Sequence, residues 1–270
     1  QDAQDIKEFG VYSEDQMAMS DWLKSKNVTH IAMESTGTYW QNLFATLVGQ
    51  GFEVILVNGK QTKNVKGKKT DIEDCQWIQK LHTLGLLSES FLPDSDTDII
   101  RTYSRHRLNL INQSASCVKR MQKFLRLMNM RLEVVVKDIV GLTGTAIIKA
   151  FISGETDGKK LAANRHYNCK KSETEIAKAL QYNGRKDYLF ALQQEWSTYE
   201  HLQKQIIATD EQINHLIKNI IDKDDNKKQH IASKKPHKRK NKNAITGTDM
   251  NQLGYQYFEG VDLMAIEGFN

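Results

Sequence analysis

The sequence lacks the features that mark secreted and membrane proteins. Its cysteines, Cys75, Cys117 and Cys169, are odd in number, far apart and without CxxC spacing, so neither a disulfide framework nor a zinc site is indicated. No apolar run approaches the roughly 20 residues that span a bilayer, and no signal-peptide pattern opens the chain. We therefore expect a cytoplasmic protein with reduced cysteines and no membrane partner.

Proline is absent between Asp98 and Asp222, which predicts a mainly helical region with interruptions around Gly141–Gly144 and Gly154–Gly158. From residue 192 to residue 220, apolar side chains recur at spacings of three and four, with Gln203 and Asp210 in the two gaps. These apolar positions are Leu192, Trp196, Tyr199, Ile206, Ile213, Ile217 and Ile220. The pattern is typical of a coiled coil and also of an amphipathic helix packed inside its own domain.

Acidic residues are missing from the stretch between Lys227 and Lys242, where eight lysines and arginines fall. The net charge of the whole chain is only +5, but these eight cations have no acidic residue among them, so the segment is strongly basic. Residues 223–250 are also poor in apolar side chains, which predicts a flexible basic linker. Polyanions are plausible partners for such a segment.

The N-terminal third alternates between helical and strand-like patterns. The chain of 270 residues can bury one good core, and a second compact unit is possible. We expect Tyr39 and Trp40, which open the second helix, to pack against a sheet. The order of the helical and strand-like segments favours a parallel βαβ arrangement. The predicted segments are an extended piece at Phe9–Tyr12, a helix at Glu14–Lys26, a strand at Thr29–Met33, a helix at Tyr39–Gln50, a strand at Glu53–Val57, a helix at Thr70–Leu84 and a short extended piece at Ser90–Leu92.

Three acidic residues could hold a metal ion. Glu34 directly follows a predicted strand, at the end where open α/β sheets place their ligands. Asp71 and Asp74 lie at i and i+3 on a predicted helix, so their carboxylates share one face. Because hard cations take oxygen ligands, three converging carboxylates would suit one or two Mg²⁺ ions.

A purely structural role for the same helix start is also open. Thr70 and Glu73 fit the capping-box pattern, with Thr70 as the N-cap. An acidic first turn that includes Asp71 and Asp74 is favoured by the helix dipole without any metal. The sequence alone leaves both interpretations standing.

The surrounding motifs resemble the DEDD transposases of the insertion-sequence one-ten family of bacterial mobile elements. The likeness runs in register from about Phe9 to Leu142, and Val261–Gly268 resembles the start of that family's second domain. The motifs that carry it are Met33-Glu34-Ser35-Thr36-Gly37-Thr38-Tyr39-Trp40, Val57-Asn58, Gly67-Lys68-Lys69-Thr70-Asp71-Ile72-Glu73-Asp74, Trp77, Gly85-Leu86-Leu87 and Ser90-Phe91.

The resemblance implies a RuvC-like, RNase-H-type domain with four catalytic acids that bind divalent metal. Glu34 matches the second acid, Asp71 the third and Asp74 the fourth, whereas the first, an Asp on the opening strand, has no counterpart. The family also uses a serine nucleophile in a C-terminal domain, for which we find no match. The resemblance further implies three kinds of partner. These are the DNA ends of the element and its target DNA, an element-encoded guide RNA, and further copies of the chain in a homo-oligomer formed through the helical region.

These patterns together predict an α/β RNase-H/RuvC-like domain without its first strand, followed by a mainly α-helical, coiled-coil-containing region. We expect the chain to be a fragment that is inactive alone. The predicted parts are a partial catalytic domain at 1–97, a helical region at 98–222 with the coiled coil at 192–220, the basic linker at 223–250 and the truncated start of a C-terminal transposase domain at 251–270.

Cations near the acids and beyond them are candidates for phosphate contacts, since affinity for nucleic acid grows with the phosphates neutralised. A charged helix face that is only solvated would look the same, so both interpretations stay open. The candidates are Lys66, Lys68 and Lys69 before the acidic pair, Arg105 on the following helix, and Lys235, Lys238, Arg239 and Lys240 in the basic stretch.

The sequence thus favours a Mg²⁺-dependent DNA strand transferase of the recombinase type. One alternative is a RuvC-like nuclease that only hydrolyses DNA, as a junction resolvase does. Another is a non-catalytic nucleic-acid-binding remnant of a transposon. The basic stretch from Lys227 to Lys242 and the segment at Val261 argue for the first, because a compact resolvase needs neither.

Overall fold

The structure is a computed structural model that describes residues 6–62, 70–230 and 243–266. The chain forms two compact units, Gln1–Pro93 and Asp94–Asn270. None of the helices in the described ranges is long and apolar enough to cross a membrane.

The N-terminal unit is built from the helices and strands that its hydrophobic periodicity predicts. The ends of the five segments predicted between residues 14 and 84 shift by at most one residue, and a short helix not predicted, α3, follows the second strand. Residues 9–12 form no strand. The elements are α1 (Ser13–Ser25), β1 (His30–Glu34), α2 (Trp40–Gly49), β2 (Glu53–Val57), α3 (Gly59–Thr62) and α4 (Asp71–Thr83).

The two strands run parallel, as predicted, with His30 opposite Glu53 and Glu34 opposite Val57. The segment after α4 joins this sheet edge only briefly, because Ser90 donates a backbone hydrogen bond to Leu56 and Glu89 forms a single antiparallel bridge with Val57. Within the described ranges the sheet therefore has two strands. This is compatible with a partial α/β domain, and the RNase-H topology stays a prediction.

Helix α2 covers this sheet because its apolar side chains recur on one face. Leu47 is 1% exposed, and it packs with Phe52 and Val54 at the start of β2. Leu43 and Phe44 of the same helix complete this cluster with side chains from α1 and β1. The βαβ core thereby fixes where both strands end, which is the position of the candidate site.

The C-terminal unit is helical and is organised around two long helices. Its elements are α5 (Ser95–Leu127), α6 (Leu132–Val135), α7 (Leu142–Ile152), α8 (Gly158–Ala162), α9 (Glu173–Ala179), α10 (Lys186–Lys223), α11 (Asp225–Gln229), α12 (Met250–Tyr257) and a 3₁₀ turn at Leu263–Ala265. Glycines mark the predicted interruption: Gly141 is the N-cap of α7 and Gly154 follows its end with φ +107°.

Helix α10 pairs with α5 of the same chain, and the two run antiparallel. The seam predicted between residues 192 and 220 lies in this pairing and in the adjoining core: Leu192 is fully buried and Ile213 is 1% exposed. Its two polar positions also find partners in α5, since Gln203 donates to Ser114 and Asp210 accepts from Arg107. The amphipathic helix packed inside its own domain is therefore the interpretation that the structure supports.

Because the seam is buried within one chain, substitutions in it would test the stability of the monomer and not the formation of a dimer. Trp196 and Ile213 are buried within the chain, so an aspartate at either position would place an unpaired charge in the core of the monomer. Such variants would unfold the unit itself and could not measure assembly. Homo-oligomer formation through the helical region stays a prediction.

The segment after the basic stretch returns to α10. Leu253 of α12 packs with Ile213, Ile217 and Ile221 of α10 in a separate apolar cluster. Part of the range predicted as a linker is helical, because α11 follows α10 directly. Residues 231–242, which hold most of the basic stretch, lie outside the described residues.

Candidate active site

Glu34 is the last residue of β1, and it stands at the carboxyl edge of the parallel pair. Immediately beyond it, the Ser35 backbone N–H donates to the Val57 carbonyl over 2.9 Å. This bond continues the strand pairing by one residue before the chain turns toward α2. Glu34 therefore lies at the edge of the sheet where the sequence predicts a ligand site.

The Glu34 carboxylate is held by two hydroxyl groups. Thr36 Oγ1 donates to Oε1 and Thr62 Oγ1 donates to Oε2. Thr62 is 5% exposed, so the second bond is sheltered from water. Gly59 makes room for the carboxylate, since a Cβ at that position would lie 2.8 Å from Glu34 Oε1. The two threonines fix the direction of the carboxylate, and Gly59 allows β2 and α3 to approach it.

Sequence reasoning assigned no role to Thr36, Gly59 or Thr62. A weak signal was present, because Gly59 and Thr62 follow the end of β2 just as Thr36 follows the end of β1. Residues that follow neighbouring parallel strands meet at the same edge of a sheet. The signal could not be used without the register of the pair, which local patterns do not contain.

The start of α4 has the capping box that the sequence predicts. The Glu73 N–H donates to Thr70 Oγ1 over 3.2 Å, and Glu73 Oε2 accepts from the Thr70 N–H over 3.1 Å. The cap is therefore formed by Thr70 and Glu73, while Asp71, which is exposed, and Asp74, which is half-buried, are not part of it. Helix α4 packs against β1, the strand that ends at Glu34.

The three carboxylates are oxygen donors of the kind that Mg²⁺ prefers in proteins. Across residues 6–62, 70–230 and 243–266, however, no three His, Cys, Asp or Glu side chains are gathered as ligands of one metal ion. The donor chemistry thus matches the ion, whereas the convergence of Glu34, Asp71 and Asp74 stays a prediction.

The pKa of the Cys75 thiol depends on the acidic residues in the first turn of α4. Partial desolvation raises the pKa of its thiol, and the nearby carboxylates of Asp71 and Asp74 raise it further. The thiol is therefore held in its neutral form at neutral pH, which makes it a poor nucleophile. A role for Cys75 in covalent catalysis is disfavoured by this environment.

Replacing Asp71 or Asp74 with Asn should lower the pKa of Cys75, because a negative neighbour disfavours the thiolate and a neutral amide does not. The alkylation rate of Cys75 by iodoacetamide should then rise at lower pH, as measured by mass spectrometry of the Cys75 peptide across a pH series. Asp96→Asn, in the first turn of α5, is the control and should leave the profile unchanged. Identical profiles for all variants would contradict the proximity of these charges.

The cations predicted to contact phosphate divide into two groups. Lys66, Lys68, Lys69, Lys235, Lys238, Arg239 and Lys240 lie outside the described residues. Arg105 is exposed on α5. Three other cations of the same helix hold the fold instead, because Arg107 pairs with Asp210, Arg120 with Glu195 and Arg126 with Glu133. The basic character of α5 is thus partly structural.

The aromatic pair at the start of α2 is only half as predicted. Trp40 is half-buried and meets Phe44 edge-on, with ring centroids 6.0 Å apart, which agrees with a packing role. Tyr39 is 86% exposed, so its predicted packing against the sheet is wrong. As the N-cap of α2, Tyr39 precedes the apolar face of the helix and its ring points to solvent.

Comparison with known protein families finds a match for the N-terminal half of the chain. Residues 6–130 match the family model of the DEDD transposases of the insertion-sequence one-ten family, whose description is "Transposase". The matched range includes β1, β2 and α4, and with them Glu34, Asp71 and Asp74. The resemblance inferred from the motifs is confirmed over residues 6–130 and supports a role in transposition, whereas its extension to Leu142 and to Val261–Gly268 stays a prediction. No curated protein matches the chain.

Proposed function

Since residues 6–130 belong to the DEDD transposases of the insertion-sequence one-ten family, we propose that this protein takes part in metal-dependent recombination of DNA. In this proposal Glu34, Asp71 and Asp74 bind Mg²⁺ and the reaction moves a DNA strand from one partner to another. The observation that carries the proposal is that the matched segment contains a carboxylate at the carboxyl end of β1 and two more on the helix packed against that strand.

Glu34 suits a metal ligand because its carboxylate is oriented before any ion arrives. The hydroxyls of Thr36 and Thr62 each donate to one of its oxygens. Outer hydrogen-bond partners of this kind orient metal ligands, and their removal typically costs about 10- to 100-fold in metal affinity. Thr36 and Thr62 are therefore positioning residues for Glu34.

Asp71 and Asp74 suit the same ion because they occupy one face of the first turn of α4. The positive end of the helix dipole stabilises negative charge there. The Thr70–Glu73 cap satisfies the helix start without them. Two carboxylates in this position can lie close together, and Mg²⁺ bound by them would stabilise charge on the attacking and leaving oxygens of a phosphodiester.

The partners in this proposal are the DNA ends of the element, its target DNA and an element-encoded guide RNA, and the active form is a homo-oligomer. Exposed Arg105 on α5 is a candidate phosphate contact. The family match supports DNA as a partner, and the guide RNA and the oligomer rest on the family resemblance alone.

Mg²⁺ binding tests the metal assignment directly. Glu34→Gln should weaken Mg²⁺ binding in isothermal titration calorimetry by at least about 10-fold, since this is the loss that even an outer-sphere change gives at protein metal sites. Glu53→Gln is the matched control. Glu53 begins β2, at the edge of the sheet opposite to Glu34, so this substitution should not change the affinity for Mg²⁺. Equal affinities for the wild type and Glu34→Gln would remove Glu34 from the site.

The reaction type is tested by the products formed in cells from the DNA that flanks the gene in its natural genome. A strand transferase gives new joined junctions, which sequencing across the flanks detects. A nuclease of the resolvase type leaves cut ends without new junctions, and a non-catalytic remnant gives neither. Joined junctions that require this protein are the expected result.

A further inference from the structure

We infer that the loop between α8 and α9, residues 163–171, binds unpaired bases of a single-stranded nucleic acid. Tyr167 would stack on a base while Lys137 and Lys170 contact phosphates. This surface lies in the C-terminal unit and outside residues 6–130, so the family match does not assign it. The site is independent of the proposed metal centre.

An aromatic pair forms the platform of this loop. Tyr167 is 80% exposed, and its ring lies against that of His166, with centroids 4.3 Å apart and planes tilted by 35°. His166 is half-buried and supports the tyrosine from the side of the protein. Most of the Tyr167 ring is therefore open to solvent, as a base-stacking residue requires.

The loop is held in a defined shape by hydrogen bonds. Arg165 Nη1 donates to the carbonyls of Cys169 over 2.8 Å and Lys171 over 3.0 Å. The backbone N–H of His166 donates to Thr143 Oγ1 over 3.1 Å, and Thr143 is 8% exposed. The aromatic pair is thus anchored to α7. An exposed ring on an ordered loop loses little conformational entropy when it binds a ligand.

Positive charge lies next to the platform. His166, Lys137 and Lys170 line one cleft of about 670 Å³, which is within the ~300–1,000 Å³ range of small-ligand sites. Both lysines are exposed, and within the described residues neither forms an ion pair. Two acidic residues, Glu133 and Asp138, also line the cleft. Glu133 is paired with Arg126 and Arg131, and the Asp138 carboxylate accepts a hydrogen bond from the Val140 N–H over 3.1 Å. Lys171 also lines the cleft, but its charge is paired with Glu175.

This combination selects single strands over duplexes. A duplex buries the faces of its bases, so an exposed ring cannot stack on them unless a base is unpaired. Cations beside the ring supply contacts to the backbone that do not depend on sequence. Unpaired nucleotides therefore fit both halves of the surface, the ring and the lysines.

Fluorescence anisotropy with a labelled oligo-dU and a labelled oligo-U, which differ only in the sugar, tests the inference on the whole chain. Tyr167→Ala should lower the affinity for a single strand by about 5- to 160-fold, the range expected for loss of one aromatic stack. Tyr167→Phe keeps the ring and should bind as the wild type does. A loss on only one of the two oligomers identifies the bound sugar as deoxyribose or ribose, and a loss on both indicates that the platform accepts either.

Two controls distinguish stacking from general effects. Phe190→Ala removes an aromatic ring that is 62% exposed on α10 and should leave the affinity unchanged. Because Tyr167 is also exposed, Tyr167→Ala should leave the thermal unfolding midpoint unchanged. Wild-type affinity of Tyr167→Ala for both oligomers would overturn the inference, as would an equal loss of affinity for a duplex of the same length.

Discussion

Replacing Asp71 or Asp74 with Asn should reduce the yield of joined DNA junctions by at least about 100-fold, because a bound metal supplies several kcal/mol of charge stabilisation in phosphoryl transfer. An amide keeps the shape of the side chain but loses the charge that attracts the cation. The measurement is quantitative sequencing or PCR of new junctions in cells that express the variant from its natural locus.

The fold should survive both substitutions. Thr70 and Glu73 form the cap of α4, and neither residue is altered. Both variants should therefore keep the capped α4 helix, and thermal unfolding followed by circular dichroism should show a cooperative transition as in the wild type. Asp96→Asn, which removes a first-turn carboxylate from α5, is the control and should recombine as the wild type does. Near-normal recombination by Asp71→Asn and Asp74→Asn would mean that both acids serve only the helix start.

Asp210→Ala should destabilise the C-terminal unit by about 3–5 kcal/mol, the cost of leaving one partner of a buried ion pair uncompensated. The Asp210 side chain is 1% exposed, and that of Arg107, its partner, is 12% exposed. Asp210 also accepts hydrogen bonds from the backbone N–H and the hydroxyl of Thr246. Urea denaturation followed by far-UV circular dichroism would measure the loss.

An exposed ion pair on the same helix gives the matched control. Glu200 of α10 pairs with Lys149 over 2.9 Å, and the two side chains are 43% and 55% exposed. Glu200→Ala should cost less than about 1 kcal/mol, because surface pairs contribute little. A double change of Arg107 and Asp210 to Met should recover part of the stability lost in Asp210→Ala, since it leaves no unpaired charge. A loss for Asp210→Ala as small as that for Glu200→Ala would contradict the burial of this pair.

The pairing of Asp210 with Thr246 also explains how the chain returns after the basic stretch. Asn214, one turn further along α10, donates to the Thr246 carbonyl over 3.0 Å. Two polar side chains of α10 therefore hold the backbone at one point near residue 246, and α12 follows with Leu253 against the same helix. The described residues on either side of residues 231–242 thus contact the same helix, α10, through α11 and through Thr246.

Local patterns in the sequence determined the helices and strands of the N-terminal unit. Hydrophobic periodicity and capping residues act within a few positions of one another, so a window of sequence contains the whole signal. Thr70 and Glu73 are an example, because the residues that make the cap are three positions apart and pair as predicted. The position of Glu34 at a strand end and the shared face of Asp71 and Asp74 were readable for the same reason.

Only the tertiary structure decided which distant residues meet. The heptad pattern of α10 does not determine which helix it packs against, because an apolar seam fits any complementary helix. In the structure this helix is α5 of the same chain. Arg107 and Arg105 were alike in sequence, yet one is buried against Asp210 and the other is exposed. Thr62 holds Glu34 although the two are 28 positions apart. Such contacts depend on strand register and helix packing, which arise from the whole fold.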